Sequence, residues 1–143
     1  MAESDISGEQ WLELYRHLLA RLEERRFDDV RSAVEAAVER GVSGERIIVD
    51  PGIGFGKGTE ENLELLRRLA ELKDALGGMP LLVGTSRKRF LGELLDGVPS
   101  DDRVEATAAT VALAIAAGAD IVRVHDVAHI ARTRRVADAI VRG

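Results

Sequence analysis

Apolar residues recur at helical spacing from position 11 to 25 (Trp11, Leu12, Tyr15, Leu18, Leu19 and Leu22). Ser7, followed three residues later by Gln10, has the form of a capping box, so an amphipathic N-terminal helix is expected there. A second helix is expected over 28–40, with Val30, Ala33, Val34, Ala37 and Val38 on one stripe and Gly41 placed to end it. Beyond it the period changes. Residues 47–49 form a short β-branched run stopped by Asp50-Pro51-Gly52, and Thr59 is positioned to cap a helix that carries Leu63, Leu66, Leu69 and Leu72 as far as Gly77-Gly78. A second apolar run, 81–83, closes at Gly84. A short helix through Phe90 and Leu94, a turn near Pro99 and a long Ala-rich helix over 102–117 follow, the last ended by Gly118. Residues 121–124 make the third strand, and a final helix is expected over 127–141.

Strands that alternate with helices long enough for crossovers predict an α/β fold with about three parallel strands, apolar on both faces and joined by right-handed connections. No repeat, low-complexity tract or Pro/Ser-rich linker divides the chain. With 143 residues a single domain is the default. Only five residues are aromatic (three Phe, one Trp, one Tyr) while 45% are hydrophobic, so the core must be aliphatic.

Charge and cysteine content narrow the function. Twenty Lys+Arg stand against 25 Asp+Glu, a net charge of −5 with no basic stretch. This offers no electrostatic footprint for duplex nucleic acid and would be repelled by anionic lipid. The absence of cysteine removes disulfides, thiolate nucleophiles and cysteine zinc sites. The start of the chain lacks the basic-then-apolar run of a signal peptide, and the longest uncharged stretch, 106–119, falls short of the ~20 residues that span a bilayer. A cytoplasmic protein acting on small molecules or on a protein partner is expected.

In an α/β sheet the ligand site lies beyond the carboxyl ends of the strands. All three strand ends carry unusual chemistry. The first is Asp50-Pro51-Gly52-Ile53-Gly54-Phe55-Gly56-Lys57, in which glycines such as Gly54 permit a tight path close to a ligand and Phe55 is offered from a loop of small residues. At the second, Gly84-Thr85-Ser86-Arg87-Lys88 places hydroxyls and two cations at a helix start whose N–H groups also favour anions. In the third, Arg123-Val124-His125-Asp126, period-two alternation sets Arg123 and His125 on one face, opposite Val122 and Val124, an arrangement suited to phosphate or pyrophosphate.

Taken singly, each feature has a plainer reading. The glycine loop departs from a Walker A sequence, because Lys57 is followed by Gly58, and is equally well a tight turn. Asp50 can cap that turn, Arg87 and Lys88 can be solvated helix-start charges, and Arg123 can pair with Asp120 or Asp126. His125 can be a hydrogen-bonded structural residue, and His17 and His129 read as surface residues. Three strand ends that all carry convergent polar groups point instead to a ligand site.

These three segments, in this order and at these separations, closely resemble the C-terminal portion of the dihydropteroate synthase family. The likeness runs from about Phe27 to the C-terminus and includes Arg103 and Thr107 on the long helix. It divides the chain into an N-terminal amphipathic helix, 1–26, outside the match, and a pterin-binding portion, 27–143. What it implies is part of a (β/α)8 TIM barrel, about its last three strands with their crossover helices. The implied activity is the folate-biosynthetic condensation of 6-hydroxymethyl-7,8-dihydropterin pyrophosphate with p-aminobenzoate, releasing pyrophosphate in the presence of Mg²⁺. Lys88, Arg123 and His125 are the implied catalytic residues. The resemblance gives Asp50 the guanidine-like pterin edge, Lys88 the pterin carbonyl and ring nitrogen, and Arg123 with His125 the departing pyrophosphate. Phe55 would pack beside p-aminobenzoate, and Ser86 with Arg87 would receive its carboxylate, while Gly54 and Gly84 line the path of the substrates. No metal ligand is identified in the chain. Three alternatives stay open: a pterin- or anion-binding module without turnover, one part of a split enzyme, and a pterin-binding methyltransferase module. A sheet of three strands leaves unpaired edges, so a homo-oligomer or a partner chain that completes the barrel is expected.

Overall fold

A computed structural model of the chain describes residues 27–143, and the helix expected over 11–25 lies outside them, as does His17. The described elements run α1 (Phe27–Glu39), α2 (Thr59–Arg67), α3 (Leu69–Ala75), β1 (Leu82–Val83), α4 (Arg89–Leu94), α5 (Val104–Ala116), β2 (Ile121–Val122) and α6 (Val127–Val141), with short 3₁₀ turns at Gly44–Arg46 and Ser100–Asp102. Element order and helix positions follow the apolar pattern closely. The helix expected from Thr59 to Gly77 is instead two, broken at Arg68, whose N–H is shared between the carbonyls of Glu64 (3.1 Å) and Leu65 (3.3 Å). Gly58, rather than Thr59, occupies the N-cap, and the Glu61 carboxylate reaches back to its N–H at 2.8 Å.

The sheet is smaller than expected. Two parallel strands, β1 and β2, pair in the register Leu82 with Ile121 and Val83 with Val122. The run at 47–49 contributes a single parallel bridge, Val49 to Leu81, on the other side of β1. Two hydrogen bonds hold it, from Val49 N–H to Pro80 O (2.9 Å) and from Leu82 N–H to Val49 O (2.7 Å). The ladder ends there because the next residues are Asp50, which turns onto Gly52, and Pro51, which has no N–H to offer. On the third strand, pairing stops at Val122 although Arg123 N–H still reaches Val83 O at 3.0 Å.

Burial separates the two faces of this narrow sheet. Val49, Leu81 and Val83 point into the main core with Val30, Val34, Ile53, Leu69, Leu72 and Phe90. A second cluster, Val111, Ile115, Ile130 and Ala137, joins α5 to α6, and Val122 and Val124 pack against it. By pairing register the opposite face carries Asp50, Leu82, Gly84, Ile121 and Arg123, and there Ile121 and Arg123 are exposed. At the amino ends of the strands, Asp120 ties the layer together. Its carboxylate accepts Leu81 N–H (2.8 Å) and the Lys73 ammonium (2.5 Å), which also donates to Met79 O (2.7 Å).

Candidate functional site

The glycine loop is held from below by buried polar side chains. Asn62 in α2, 1% exposed, accepts Gly54 N–H through Oδ1 (2.7 Å) and donates through Nδ2 to Gly58 O (2.9 Å). The Lys57 ammonium folds back under the same loop and donates to the carbonyls of Gly52 and Phe55, each at 3.1 Å. Asp50 Oδ1 accepts Gly52 N–H at 2.8 Å, the turn-capping bond expected of it, and its second oxygen accepts no hydrogen bond from the described residues. Tethered in this way, Phe55 stands out from the loop, 43% exposed.

The second strand end crosses the first. Lys88 runs along the glycine loop so closely that a Cβ on Gly54 (φ +84°) would sit 2.6 Å from Lys88 Cδ. Its ammonium lies 3.7 Å from the centroid of the Phe55 ring, a cation–π contact. Burial lowers the Lys88 pKa, Arg123 and Lys57 lower it further by repulsion, and Asp50 works the other way. One carboxylate and three cations therefore share this corner.

The third strand end is stitched to the second by side chains. Ser86, buried, accepts His125 N–H at 3.0 Å through Oγ and pairs with Nδ1 of the same histidine at 2.9 Å. Arg87, in the left-handed region at φ 59°, forms a two-bond fork with Asp126 (2.7 and 3.2 Å), which raises the arginine pKa and depresses that of the carboxylate. Arg123 pairs with neither candidate acid, since Asp126 is held by Arg87 and Asp120 by Lys73. Its guanidinium lies instead over the backbone of Gly84, where an added Cβ would come within 2.9 Å of Nη2. Among the described residues it has no hydrogen-bond or ion-pair partner, and His125 beside it is exposed.

Asp50, Gly54, Phe55, Gly84, Ser86, Arg87, Lys88, Arg123 and His125 thus gather at the carboxyl ends of the strands. Ser86 and Arg87 are already engaged there, with His125 and Asp126 respectively. Two further residues escaped sequence reasoning. Asn62 could have been found as a polar residue on the apolar stripe of Leu66 and Leu69. Arg89 lines an open cleft of about 460 Å³ with Gly54, Gly56, Lys57, Gly58, Thr59, Asn62 and Phe90, and carried no signal beyond its charge. Neither Asp50, Lys88 nor Arg123 lines that cleft, so it adjoins the cationic corner without coinciding with it.

A family model for pterin-binding enzymes matches residues 17–125. The chain belongs to the pterin-binding enzyme family. Dihydropteroate synthase of Synechocystis is 55% identical over 107 residues, which cover 75% of this chain and 36% of that protein. The Bacillus subtilis dihydropteroate synthase is 50% identical over 112 residues, 78% of this chain and 38% of its own length. The chain thus spans less than two fifths of these curated relatives. Among solved structures, dihydropteroate synthase from Clostridium difficile in the presence of pteroic acid superposes with a TM-score of 0.78 at 48% identity, over 85% of this chain and 45% of that one. The Xanthomonas albilineans enzyme in complex with 7,8-dihydropteroate gives 0.74 at 36% identity, over 88% and 46%.

For a member of this family two further observations bear on cofactor and location. Among the described residues no three His, Asp or Glu side chains cluster to hold a metal ion, and the Asp50 carboxylate faces cations rather than other carboxylates. The described residues thus offer no ready-made cluster of ligands for Mg²⁺. No helix among the described residues is long and apolar enough to cross a membrane.

Proposed function

We propose that this chain forms part of a dihydropteroate synthase, contributing three strand positions of a (β/α)8 barrel and the groups that bind pterin and pyrophosphate. The observation that carries this reading is the gathering of Asp50, Lys88, Arg123 and His125 at one end of the sheet, with Asp50 Oδ2 and the Arg123 guanidinium left without hydrogen-bond partners among the described residues. The names of its relatives and the pteroate ligands in theirs agree with it.

In this reading the aminopyrimidine edge of 6-hydroxymethyl-7,8-dihydropterin pyrophosphate donates two N–H bonds to Asp50, and the Lys88 ammonium meets the ring carbonyl and nitrogen. Arg123 and His125 hold the pyrophosphate. The bond between the methylene carbon and the pyrophosphate oxygen breaks with its electron pair leaving on oxygen. The aniline nitrogen of p-aminobenzoate forms the new C–N bond and then loses a proton. Positive charge at the methylene carbon is delocalised by the pterin, so the protein's task is positioning and stabilising the departing anion. When the Ser86 hydroxyl donates to Nδ1, His125 carries its proton on Nε2 and can donate it in a hydrogen bond to that anion. Phe55 flanks p-aminobenzoate. For its carboxylate Arg89 is the readier partner, since it lines the adjoining cleft and its ion pair with Glu93 (3.2 Å) is solvent-exposed, while Ser86 and Arg87 would have to release the less exposed His125 and Asp126 contacts.

Calorimetric titration with a pterin pyrophosphate analogue tests the binding half of this reading. Wild type should bind, and Asp50→Asn, which keeps an oxygen for Gly52 N–H, should bind at least tenfold more weakly, the loss of one charge-assisted bond. No heat from wild type would refute it. Pyrophosphate release with p-aminobenzoate then separates an enzyme from a binding module. Because β2 and the Val49 segment border the small sheet, self-association or a partner chain supplying further strands belongs to the same proposal. A strict monomer in sedimentation at about tens of micromolar, a range in which such contacts are usually populated, would count against self-association.

A further inference from the structure

Lys88 reaches Phe55 only because the chain from 84 to 88 is bent in a particular way, and one side chain from another element fixes that bend. Arg103, immediately before α5, donates from Nε to Val98 O (2.8 Å) and from Nη1 to the carbonyls of Arg87 (3.2 Å) and Lys88 (3.1 Å). Two consecutive carbonyls converge on one nitrogen. The left-handed backbone at Arg87 (φ 59°) brings this about, a conformation costing a non-glycine residue about 1–2 kcal/mol. The same left-handed residue sends its own side chain to Asp126 and leaves the next one, Lys88, crossing Gly54 toward the Phe55 ring. A planar fork with several donors is needed for such a three-carbonyl grip, and an ammonium cannot reproduce it.

Gly92 reserves the space for the fork. It lies within α4, where a glycine weakens a helix, yet a Cβ there would fall 2.2 Å from Arg103 Nη2 and 2.5 Å from Cζ. The helix carries a poor helix former at the place where any side chain would displace the guanidinium.

We propose that Arg103, seated against Gly92, is the positioning residue that holds the Lys88 ammonium over Phe55. The consequence for pterin binding rests on the function proposed above, while the geometry itself does not. The sequence contains only three lysines, Lys57, Lys73 and Lys88, so the side-chain methylene resonances of Lys88 can be followed individually by NMR. In wild type, those nearest the Phe55 ring should be shifted upfield by its ring current.

Gly92→Ala is the decisive variant. It should cost less stability in urea than Arg103→Met, because alanine favours the helix and offsets part of the lost fork, while the Lys88 resonances move to the positions of a solvated lysine. Arg103→Lys and Arg103→Met should give the same spectroscopic change, with some loss of stability. A purely structural Arg103 would lower stability without moving the Lys88 signals. Unmoved Lys88 resonances in Gly92→Ala, or loss of its fold, would overturn the proposal. The analogue titration on the same samples keeps the two readings apart. Gly92→Ala should bind about tenfold more weakly than wild type, the weight of one charge-assisted contact. If wild type binds nothing while its Lys88 signals still respond to Gly92→Ala, the pterin reading falls and the positioning role stands. If wild type binds and the signals do not respond, the positioning role falls.

Discussion

Replacing Asn62 by alanine removes three side-chain hydrogen bonds that hold the glycine loop, from Gly54 N–H at 2.7 Å, to Gly58 O at 2.9 Å and to Lys57 O at 3.4 Å. A buried donor or acceptor stripped of its partner costs about 1–3 kcal/mol. Gly54 is exposed and Asn62 lines an open cleft, so water reaches the loop: the orphaned Gly54 N–H costs about 1.5 kcal/mol, and Gly58 O, which keeps the residue 62 backbone N–H at 3.1 Å, loses with Lys57 O a weaker contribution of about 0.5 kcal/mol. Alanine returns about 0.5 kcal/mol through its better helix propensity in α2. The net expectation is a destabilisation of about 1.5 kcal/mol in urea unfolding, with a distinct local signature in the exchange of the Gly54 amide, which loses its acceptor. Asn62→Asp separates the accepted bond from the donated ones. It keeps an acceptor for Gly54 N–H and loses the donor to Gly58 O and Lys57 O, so Gly54 should stay protected while global stability still drops. An Asn62→Ala protein within about 0.5 kcal/mol of wild type, with Gly54 exchanging no faster, would show that the loop is held by its own backbone and Lys57 alone.

Three further outcomes are expected. Gly84→Ala should push the Arg123 guanidinium from its seat, since the new Cβ would meet Nη2 at 2.9 Å, and weaken pyrophosphate binding in calorimetry about tenfold; unchanged affinity would remove Arg123 from the anion site. The Asp126 carboxyl, held below its ordinary value by Arg87, adds stability that is present above the unfolded pKa and is lost as pH falls through the lower folded value. Urea midpoints from pH 6 down to 2 should therefore fall more steeply in wild type than in Asp126→Asn below about pH 4, and parallel curves would refute the link. Ile130→Ala, a cavity between α5 and α6 at a residue 2% exposed, should cost about 2–5 kcal/mol in urea unfolding while leaving analogue affinity within twofold (about 0.4 kcal/mol) for whatever fraction stays folded.

The helices were legible because each has an apolar stripe and a stop: Val30, Val34 and Ala37 before Gly41, and Val111, Ala114 and Ile115 before Gly118, all but the glycines buried. The strands were legible as positions but not as lengths. Ile47-Ile48-Val49 has the composition of a strand, yet Ile48 is 55% exposed and only Val49 pairs, because pairing depends on the neighbouring backbone and the sequence of one strand does not say what lies beside it. Alternation did place Arg123 and His125 opposite Val122 and Val124, and the burial pattern has the valines half-buried and the polar pair exposed. Long-range side-chain partners were beyond reach. Sequence offered Asp120 or Asp126 for Arg123 by proximity alone, whereas Lys73 and Arg87 take them across separations of 47 and 39 residues.

Those distant partners explain how so small a sheet fixes three loops. Two strands and one bridge supply few ladder hydrogen bonds, too few to define where residues four or five positions past the last pair will stand. The loops are instead cross-linked by side chains: Asn62 and Lys57 within the first, Arg103 within the second, Ser86–His125 and Arg87–Asp126 between the second and third. Every one of these links spends the polar groups that make it. The charges left over are Asp50, Lys88 and Arg123, all on the sheet face away from the main core or above it. Repulsion of Lys88 by Arg123 and Lys57 is a standing cost that Asp50 works against, and a bound pyrophosphate would turn that cost into attraction. On this argument anion binding should stabilise the fold against urea by an amount that grows with ligand concentration and vanishes in Arg123→Met.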